Sequence, residues 1–105
     1  MIRFIFYRTK KKTLKGFLVE GHAGFSNIGQ DIVCAGVSAI VEMCCNAITD
    51  ILKKKVLIEC IEGRIFLKIY EEDISVEMFL KALEMEVILL QKQYRENISL
   101  KYMEE

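Results

Sequence analysis

The sequence predicts one α+β domain of order ββαββα, with a last short strand, in which a mostly antiparallel sheet packs against a long central helix and a second helix. Two pairs of short segments rich in β-branched and aromatic residues predict the strands. A long segment with the apolar period of a helix follows each pair. The 105 residues contain no proline and no low-complexity tract that would mark a linker. Residues 1–105 are therefore expected to form a single domain.

The first two strands are predicted at residues 2–8 and 15–21, whose apolar side chains favour a pleated sheet. A polar segment, residues 9–13, turns the chain between them, so the two strands are expected to pair in antiparallel fashion. Its basic cluster, Lys10–Lys12, is expected either to be a solvated hairpin tip or to dock on an acidic or RNA-rich surface.

Residues 21–34 come next and contain His22, the one histidine of the chain. His22 lies where the second strand is predicted to end, so its side chain can face a cleft. The following segment, residues 23–30, is small and polar. Gly24 and Gly29 are its candidate hinges.

The first helix is predicted to begin after Asp31, interpreted as its N-cap, and to run to about Lys53. Only Glu42 and Asp50 carry charge between residues 32 and 52. A helix that is apolar nearly all round is buried on most sides. We therefore expect this helix to lie between the sheet and another layer.

The second half of the chain repeats the pattern of the first. Residues 55–61 and 64–70 are predicted to be strands, because a Glu-Gly hairpin signal separates them. A second helix is predicted at about residues 75–95, and residues 98–103 are predicted to form the last strand.

The second helix carries more apolar residues than one contact needs. The regular stripe that is expected to face the core consists of Val76, Phe79, Leu80, Leu83, Val87, Leu90 and Tyr94. The apolar residues outside this stripe are Met78, Met85, Ile88 and Leu89. They indicate either a broader core contact or the interface of a homodimer, and the sequence does not separate the two.

Composition disfavours two classes of protein. Formal net charge is zero, whereas proteins that bind nucleic acid directly neutralise phosphates with an excess of Lys and Arg. No apolar run reaches about 18 residues without a charge, so no membrane span is expected. The N-terminus lacks the layout of a signal peptide, and we expect a cytoplasmic protein.

The four cysteines match neither a zinc pattern nor a disulfide framework, and we expect no metal and no cofactor. Cys44, Cys45 and Cys60 are interpreted as small buried hydrophobic residues in a reducing compartment. Cys34 differs from them because it follows Asp31 by three residues, in the predicted first turn of the helix.

Cys34 and His22 are the residue types of a nucleophilic thiol and its base. The free N–H groups and the dipole of a helix N-terminus stabilise a thiolate, and so does a neighbouring imidazolium. The histidine would then protonate the leaving amine when a peptide bond is cleaved. The backbone N–H groups of residues 32–34 are expected to stabilise the oxyanion, with Gln30 as a further donor.

Asp31 and Ser38 are candidate supporting residues. Asp31 either positions the helix and the site as an N-cap, which we favour, or turns toward His22 and fixes its tautomer. Ser38 stands one turn after Cys34, where it either forms a hydrogen bond near the site or bonds back to a helix carbonyl. Without catalysis, Cys34 would be a packing residue and His22 a surface residue.

A signature in this stretch resembles that of the ribosomal-processing cysteine protease family, Prp. It consists of Gly21-His22-Ala23-Gly24, six further residues, and then Asp31-Ile32-Val33-Cys34-Ala35-Gly36-Val37-Ser38. The resemblance covers most of the chain, since the N-terminal strands, the long helix, the Glu-Gly hairpin and the second helix also fit. Gly36 departs from the family pattern, which commonly has alanine there.

The resemblance implies that the protein removes a short N-terminal extension from the precursor of a large-subunit ribosomal protein, the twenty-seventh in the standard series. It matches Cys34, His22 and Asp31 to the family's catalytic cysteine, its histidine and its signature aspartate. It also implies a homodimer, a glycine-bearing loop that moves when substrate binds, and a hydrophobic groove beside Cys34 for an apolar and aromatic peptide. The residues expected to bind substrate are Gly21, Gly24, Phe25, Ile28, Gly29 and Gln30.

Two other functions compete with a cysteine endopeptidase. A non-catalytic ribosome-associated binding protein would use the Lys10–Lys12 tip and the exposed apolar face of the second helix. A small thiol-based redox protein would use Cys34, but the chain has no Cys-x-x-Cys arrangement to supply a resolving cysteine.

Overall fold

The computed structural model describes residues 1–21 and 28–105, and for residues 28–31 it describes the backbone alone. The elements of this part of the chain, in order, are β1 (Ile2–Arg8), β2 (Leu14–Glu20), α1 (Ile28–Asn46), a π-helical continuation of α1 (Ala47–Ile51), β3 (Leu57–Ile61), β4 (Arg64–Lys68), α2 (Ile74–Gln93) and β5 (Ile98–Glu104). The predicted α+β class and the predicted order of elements, including the terminal strand, are confirmed.

The five described strands form one mixed sheet in the order β3-β4-β2-β1-β5. The pairs β1–β2, β2–β4 and β3–β4 are antiparallel, and β5 lies parallel to β1. The prediction of a mostly antiparallel sheet is therefore confirmed. The strand order leaves β3 and β5 at the two edges.

One face of the sheet carries the core. The strand register aligns Phe6 with Phe17 and Phe17 with Leu67, and all three side chains are fully buried. Residues of α1 and α2 belong to the same buried cluster, so both helices cover this face. The side chains of Tyr7 and Leu18 point to the opposite face. They are buried but lie outside that cluster.

Helix α1 buries one side rather than most sides, which corrects the prediction. Its buried residues recur every three or four positions: Val33, Val37, Val41, Cys44 and Ile48. On its outer side Ile32 and Met43 are 59% and 63% exposed, because no further layer of the described chain covers it. By length and composition Ile32–Ile51 could cross a membrane. We interpret it as a core helix, since its buried side packs in the same cluster as the sheet.

The start of α1 also differs from the prediction. The helix begins at Ile28, three residues before Asp31, so Asp31 lies in its first turn and is not its N-cap. An acidic residue is favoured at either place, because both are close to the free N–H groups of the helix start.

Helix α2 begins with an N-cap at Asp73. The Asp73 carboxylate accepts hydrogen bonds from the Ser75 hydroxyl at 2.5 Å and the Val76 N–H at 3.2 Å, and it pairs with the Lys54 ammonium at 2.9 Å. The bonds from Ser75, Lys54 and Val76, in that order of effect, hold the pKa of Asp73 well below its ordinary value. This cap fixes where α2 leaves the loop after β4.

The predicted inner stripe of α2 is confirmed, since Val76, Leu80, Leu83 and Val87 are buried. Phe79, Leu90 and Tyr94 pack against them from partly buried positions. Met78, Met85 and Leu89 are 67%, 66% and 57% exposed, so the broader core contact is wrong for these three residues. Ile88 is half-buried.

Replacing Gly36 with alanine should stabilise the protein. A Cβ built on Gly36 meets no heavy atom within 4 Å, apart from its own helix backbone. Glycine inside a helix costs about 1 kcal/mol relative to alanine, so we expect a gain of up to about 1 kcal/mol in the free energy of unfolding. For a domain of this length, that gain corresponds to a rise in Tm of up to about 4–8 °C.

Ala35→Gly is the matched control, because Ala35 is the adjacent exposed position of the same helix. It should lower Tm by a similar amount in thermal unfolding followed by circular dichroism. A lower Tm for Gly36→Ala would show that Gly36 is needed for a close contact that the described residues do not make.

Candidate active site

Cys34 is the seventh residue of α1 and is half-buried, at the edge of the core. It lines a cavity of about 190 Å³ between the first half of α1 and the sheet. The described residues around this cavity are Ile2, Val19, Glu20, Gly21, Cys34, Val37, Ser38, Val41, Cys60, Ile61, Gly63, Arg64 and Ile65. The family resemblance noted above implies a hydrophobic groove beside Cys34, and this cavity lies at that place.

The lining follows from two periodicities. On α1, Cys34, Val37, Ser38 and Val41 are three to four residues apart and therefore share one side of the helix. On the sheet, alternate residues of neighbouring strands supply the floor. Val19 of β2 lies opposite Ile65 of β4, and Cys60 of β3 follows in the same row. The cavity wall therefore consists largely of branched apolar side chains, and the polar groups that α1 adds to it are the Cys34 thiol and the Ser38 hydroxyl.

Gly21 ends β2 at this cavity and has a backbone that only glycine adopts easily. Its φ is +95°, and a Cβ there would lie 2.3 Å from the Met1 carbonyl oxygen. Its N–H donates a hydrogen bond of 3.0 Å to the Gly63 carbonyl oxygen. Gly21 therefore packs closely against Met1, before the start of β1, and is hydrogen-bonded to the turn of the β3–β4 hairpin. It directly precedes His22 in the sequence.

The helix start revises the predicted oxyanion donors. Because α1 begins at Ile28, the N–H groups of residues 32–34 bond to carbonyl oxygens of residues 28–30 within the helix. They are therefore not free to bind an oxyanion, and that prediction is wrong for this helical backbone. The dipole acts mainly within the first turn. Cys34 lies beyond that turn, so a nucleophilic role for its thiol would require a nearby base, the part predicted for His22.

Several predicted site residues lie outside the described part of the chain. These are His22, Gly24 and Phe25, within residues 22–27. Ile28, Gly29 and Gln30 were predicted in the mobile loop, but their backbone belongs to the first turn of α1. Gly29 is therefore not a loop hinge in this structure. The side chain of Asp31 is also outside the description, and its two alternative roles remain predictions.

The sequence did not single out β3 as part of the site. Cys60 was predicted to be buried, but it is exposed and lines the same cavity as Cys34. The hairpin at Glu62-Gly63 was predicted correctly, and Gly63 has the positive φ of 77° that its turn needs. Alternation along β3 could have placed Cys60 on the helix-covered side. No sequence signal indicated that β3 is an edge strand.

The other two cysteines are buried, as predicted. Burial raises the pKa of the Cys44 thiol to about 12, with a smaller effect from Cys45. Burial also raises the pKa of the Cys45 thiol to about 11, with smaller effects from Cys60 and Glu42. The Cys44 thiol additionally donates a hydrogen bond of 3.7 Å to the Phe79 carbonyl oxygen of α2. Both thiols are therefore protonated and unreactive at neutral pH.

Thiol labelling should divide the four cysteines into two pairs. In the native protein at neutral pH, iodoacetamide is expected to modify Cys34 and Cys60, which are accessible, and to spare Cys44 and Cys45. At pH 6 Cys34 should react faster than Cys60 if a base beside it favours its thiolate. Peptide mapping by mass spectrometry, repeated in urea as a control, measures each site. Modification of Cys44 without denaturant would contradict the packing described above.

A sequence model described as cysteine protease Prp matches residues 1–99 of this chain. The ribosomal processing cysteine protease Prp of Bacillus subtilis (strain 168) is 44% identical over 48 residues, which are 46% of this chain and 43% of that relative. The aligned segment thus spans less than half the length of the curated relative.

Solved structures resemble the whole chain. The crystal structure of SMU.848 from Streptococcus mutans is 28% identical, covers 100% of this chain and 96% of its own, and has a TM-score of 0.89. The essential ribosomal processing protease Prp from S. aureus, solved with a covalently linked product peptide, is 24% identical, with coverages of 98% and 100% and a TM-score of 0.88. The same values hold for a second structure of that enzyme with a substrate peptide. At this identity the S. aureus likeness establishes the fold.

Proposed function

This chain belongs to the cysteine protease Prp family, whose members hydrolyse peptide bonds, and we propose that it is an active cysteine endopeptidase of ribosomal processing with Cys34 as nucleophile. The observation that supports this best is the position of Cys34. Cys34 is half-buried and lines an apolar cavity, and Gly21, which precedes His22 in the sequence, lines the same cavity.

The proposed substrate is the N-terminal extension of the precursor of the twenty-seventh large-subunit ribosomal protein. The cavity supports a peptide with apolar side chains, because Val19, Val37, Val41 and Ile65 form much of its wall. Its volume of about 190 Å³ equals roughly six waters at about 30 Å³ each, which suits a side chain rather than a folded domain. The S. aureus relative was solved with peptides bound, which supports a peptide ligand here.

The proposed reaction has two steps. The Cys34 thiolate attacks the carbonyl carbon of the scissile bond, and the His22 imidazolium protonates the leaving amine as the C–N bond breaks. A thioester forms between Cys34 and the N-terminal fragment. His22 then takes a proton from water, the resulting hydroxide attacks the thioester, and the C–S bond breaks to release a carboxylic acid and to regenerate the Cys34 thiolate with the His22 imidazolium. Asp31 and Ser38 are proposed to position the helix start and the nucleophile.

A cleavage assay tests the proposal. The purified chain is incubated with a synthetic peptide that spans the extension and the first residues of the mature ribosomal protein, and the products are identified by mass spectrometry. One cut at the end of the extension is expected. A peptide of the same composition in scrambled order is the control. If the native peptide stays intact while the folded protein is present in excess, the proposed substrate is wrong.

We further propose that the protein is a cytoplasmic homodimer. Ribosomal processing supports the location, and the unpaired cysteines suit a reducing compartment. The exposed apolar side chains of α2 support self-association, because monomeric proteins rarely expose large contiguous apolar patches. This patch comprises Met78, Met85 and Leu89.

Replacing Met85 with glutamate should therefore separate the dimer, because it places a charge in the centre of this patch. Sedimentation is expected to give half the mass of the wild type at the same protein concentration. Met103→Glu is the matched control, since Met103 is 48% exposed on β5, with its side chain on the sheet face away from the helices. A dimer that survives Met85→Glu but not Met103→Glu would place the interface on the open face of the sheet.

A further inference from the structure

We infer that the substrate peptide binds in extended form along the free edge of β3, as an added strand of the sheet, and that this pairing leads its scissile bond to Cys34. The inference rests on the proposed function and specifies how that site recognises a peptide. The ligand that binds this edge is an extended apolar segment of the substrate.

Strand β3 is an unprotected edge. It ends the strand order, and within the described chain no strand pairs with its outer side. All five of its residues are exposed. Natural edge strands are normally blocked by lysines, prolines, bulges or a covering element, because unpaired N–H and C=O groups attract other strands. The segment Leu57–Ile61 contains no lysine and no proline and pairs with β4 without a bulge. Its one charged residue, Glu59, lies in the row of Phe66, on the sheet face away from the helices.

The register shows which backbone groups of β3 are free. Ile61 and Arg64 flank the two-residue turn directly, so they exchange hydrogen bonds with one another. Such pairs alternate along an antiparallel ladder, so Glu59 also bonds to Phe66. The N–H and C=O groups of Ile58 and Cys60 therefore point outward, away from β4. These two residues offer an incoming strand two donors and two acceptors.

The free edge leads into the cavity of the nucleophile. Cys60, Ile61 and Gly63 line the same cavity as Cys34. The side chains of Ile58 and Cys60 share the row of Leu67 and Ile65, on the sheet side that α1 and α2 cover. Helix α1 supplies the opposite side of this cavity through Cys34, Val37, Ser38 and Val41, so the end of β3 and the first half of α1 share one cavity.

The chemistry of the edge fits an apolar peptide. A paired strand would lie about 4.8 Å from β3, with every second side chain turned toward α1 and the cavity wall. Leu57, Ile58 and Ile61 are 43%, 40% and 63% exposed in the free protein and would be partly covered by the peptide. In this form of recognition the main-chain hydrogen bonds supply affinity, and pockets for alternate side chains supply specificity.

Amide exchange measured by NMR tests the inference, with the Cys34→Ala variant and the uncut extension peptide as the probe. The amide protons of Ile58 and Cys60 should exchange freely in the free protein and become at least about tenfold slower when the peptide binds. Leu57, Glu59 and Ile61 are internal controls, because their N–H groups already bond to β4. Protection of Ile58 and Cys60 before the peptide is added would show that a second copy covers the edge, and would overturn the inference.

A peptide series gives a second, independent test with the unaltered enzyme. Single N-methyl groups are placed on successive backbone nitrogens of the extension peptide. Methylation of either of the two nitrogens, two residues apart, that bond to the carbonyl oxygens of Ile58 and Cys60 should raise KM about tenfold, because it removes a hydrogen bond to β3, while methylation of the nitrogen between them should change KM little. Equal effects at all positions, with the parent peptide cleaved, would overturn the inference and leave the proposed function intact. If the parent peptide is not cleaved, both the proposed function and this inference are wrong.

Discussion

Replacing Cys34 with alanine should lower kcat/KM for the extension peptide by at least about 10³-fold, because the substitution removes the only atom proposed to form a bond with the substrate. The fold should survive. Cys34 is half-buried at the edge of the cavity, so its truncation leaves no enclosed void in the core. A rate measured by product formation in mass spectrometry, together with an unchanged Tm, would separate lost chemistry from lost folding.

Cys60→Ala is the matched control for Cys34→Ala. Cys60 lines the same cavity and is the other accessible thiol. Its side chain has no proposed role in bond making, and its outward backbone groups are kept in alanine, so activity should stay within about threefold of the wild type. If Cys34→Ala retains activity and Cys60→Ala loses it, the nucleophile has been assigned to the wrong cysteine.

The strands were predictable because their physical signals are local. Aromatic and β-branched residues marked residues 2–8, apolar alternation marked residues 64–70, and the Glu-Gly pair marked the turn between β3 and β4. Alternation of apolar and polar residues along a strand shows which side chains share a face of the sheet. It does not show which other strand pairs with that strand. The parallel pairing of β5 with β1 therefore could not be predicted, and neither could the edge position of β3. For the same reason the sequence did not join Cys60 to the site.

The start of α1 shows a different limit. Asp31 has the residue type of an N-cap, and Gly29 resembles a loop residue. The helix nevertheless begins at Ile28, which leaves an acidic residue in the first turn, where the dipole also favours it. An acidic residue is favoured both at the N-cap and in the first turn of a helix. The position of Asp31 is therefore compatible with two helix starts, and the sequence alone could not decide between them. The consequence is chemical, since the N–H groups expected at the oxyanion belong to the helix ladder.

The burial of α1 was overestimated for a related reason. An apolar residue shows that a position tolerates burial, but it does not show what covers that position. Val37 and Val41 pack in the core, whereas Met43 on the outer side is 63% exposed. On α2 the exposed residues outside the core stripe, Met78, Met85 and Leu89, form the apolar patch that the proposed dimer would cover. On both helices, therefore, apolar residues outside the buried stripe are exposed. On α2 they support the proposed homodimer.

His22→Gln should lower kcat for the extension peptide by about 10²–10⁴-fold, because an amide leaving group must be protonated as it departs and glutamine cannot supply that proton. Since α1 does not offer free N–H groups at residues 32–34, the proposed mechanism also assigns to the imidazole the larger share in stabilising the Cys34 thiolate. The substitution keeps a side chain of similar size, and Tm should not change.

An ester analogue of the peptide, with a p-nitrophenolate leaving group, separates the two roles of His22. This leaving group departs without a proton, so the ester should lose much less activity than the amide if His22 acts chiefly as the general acid. Equal losses for both substrates, with slower alkylation of Cys34 by iodoacetamide, would instead assign His22 to thiolate formation. Unchanged amide cleavage in His22→Gln would exclude the pair of His22 and Cys34, and another base would have to lie at the cavity.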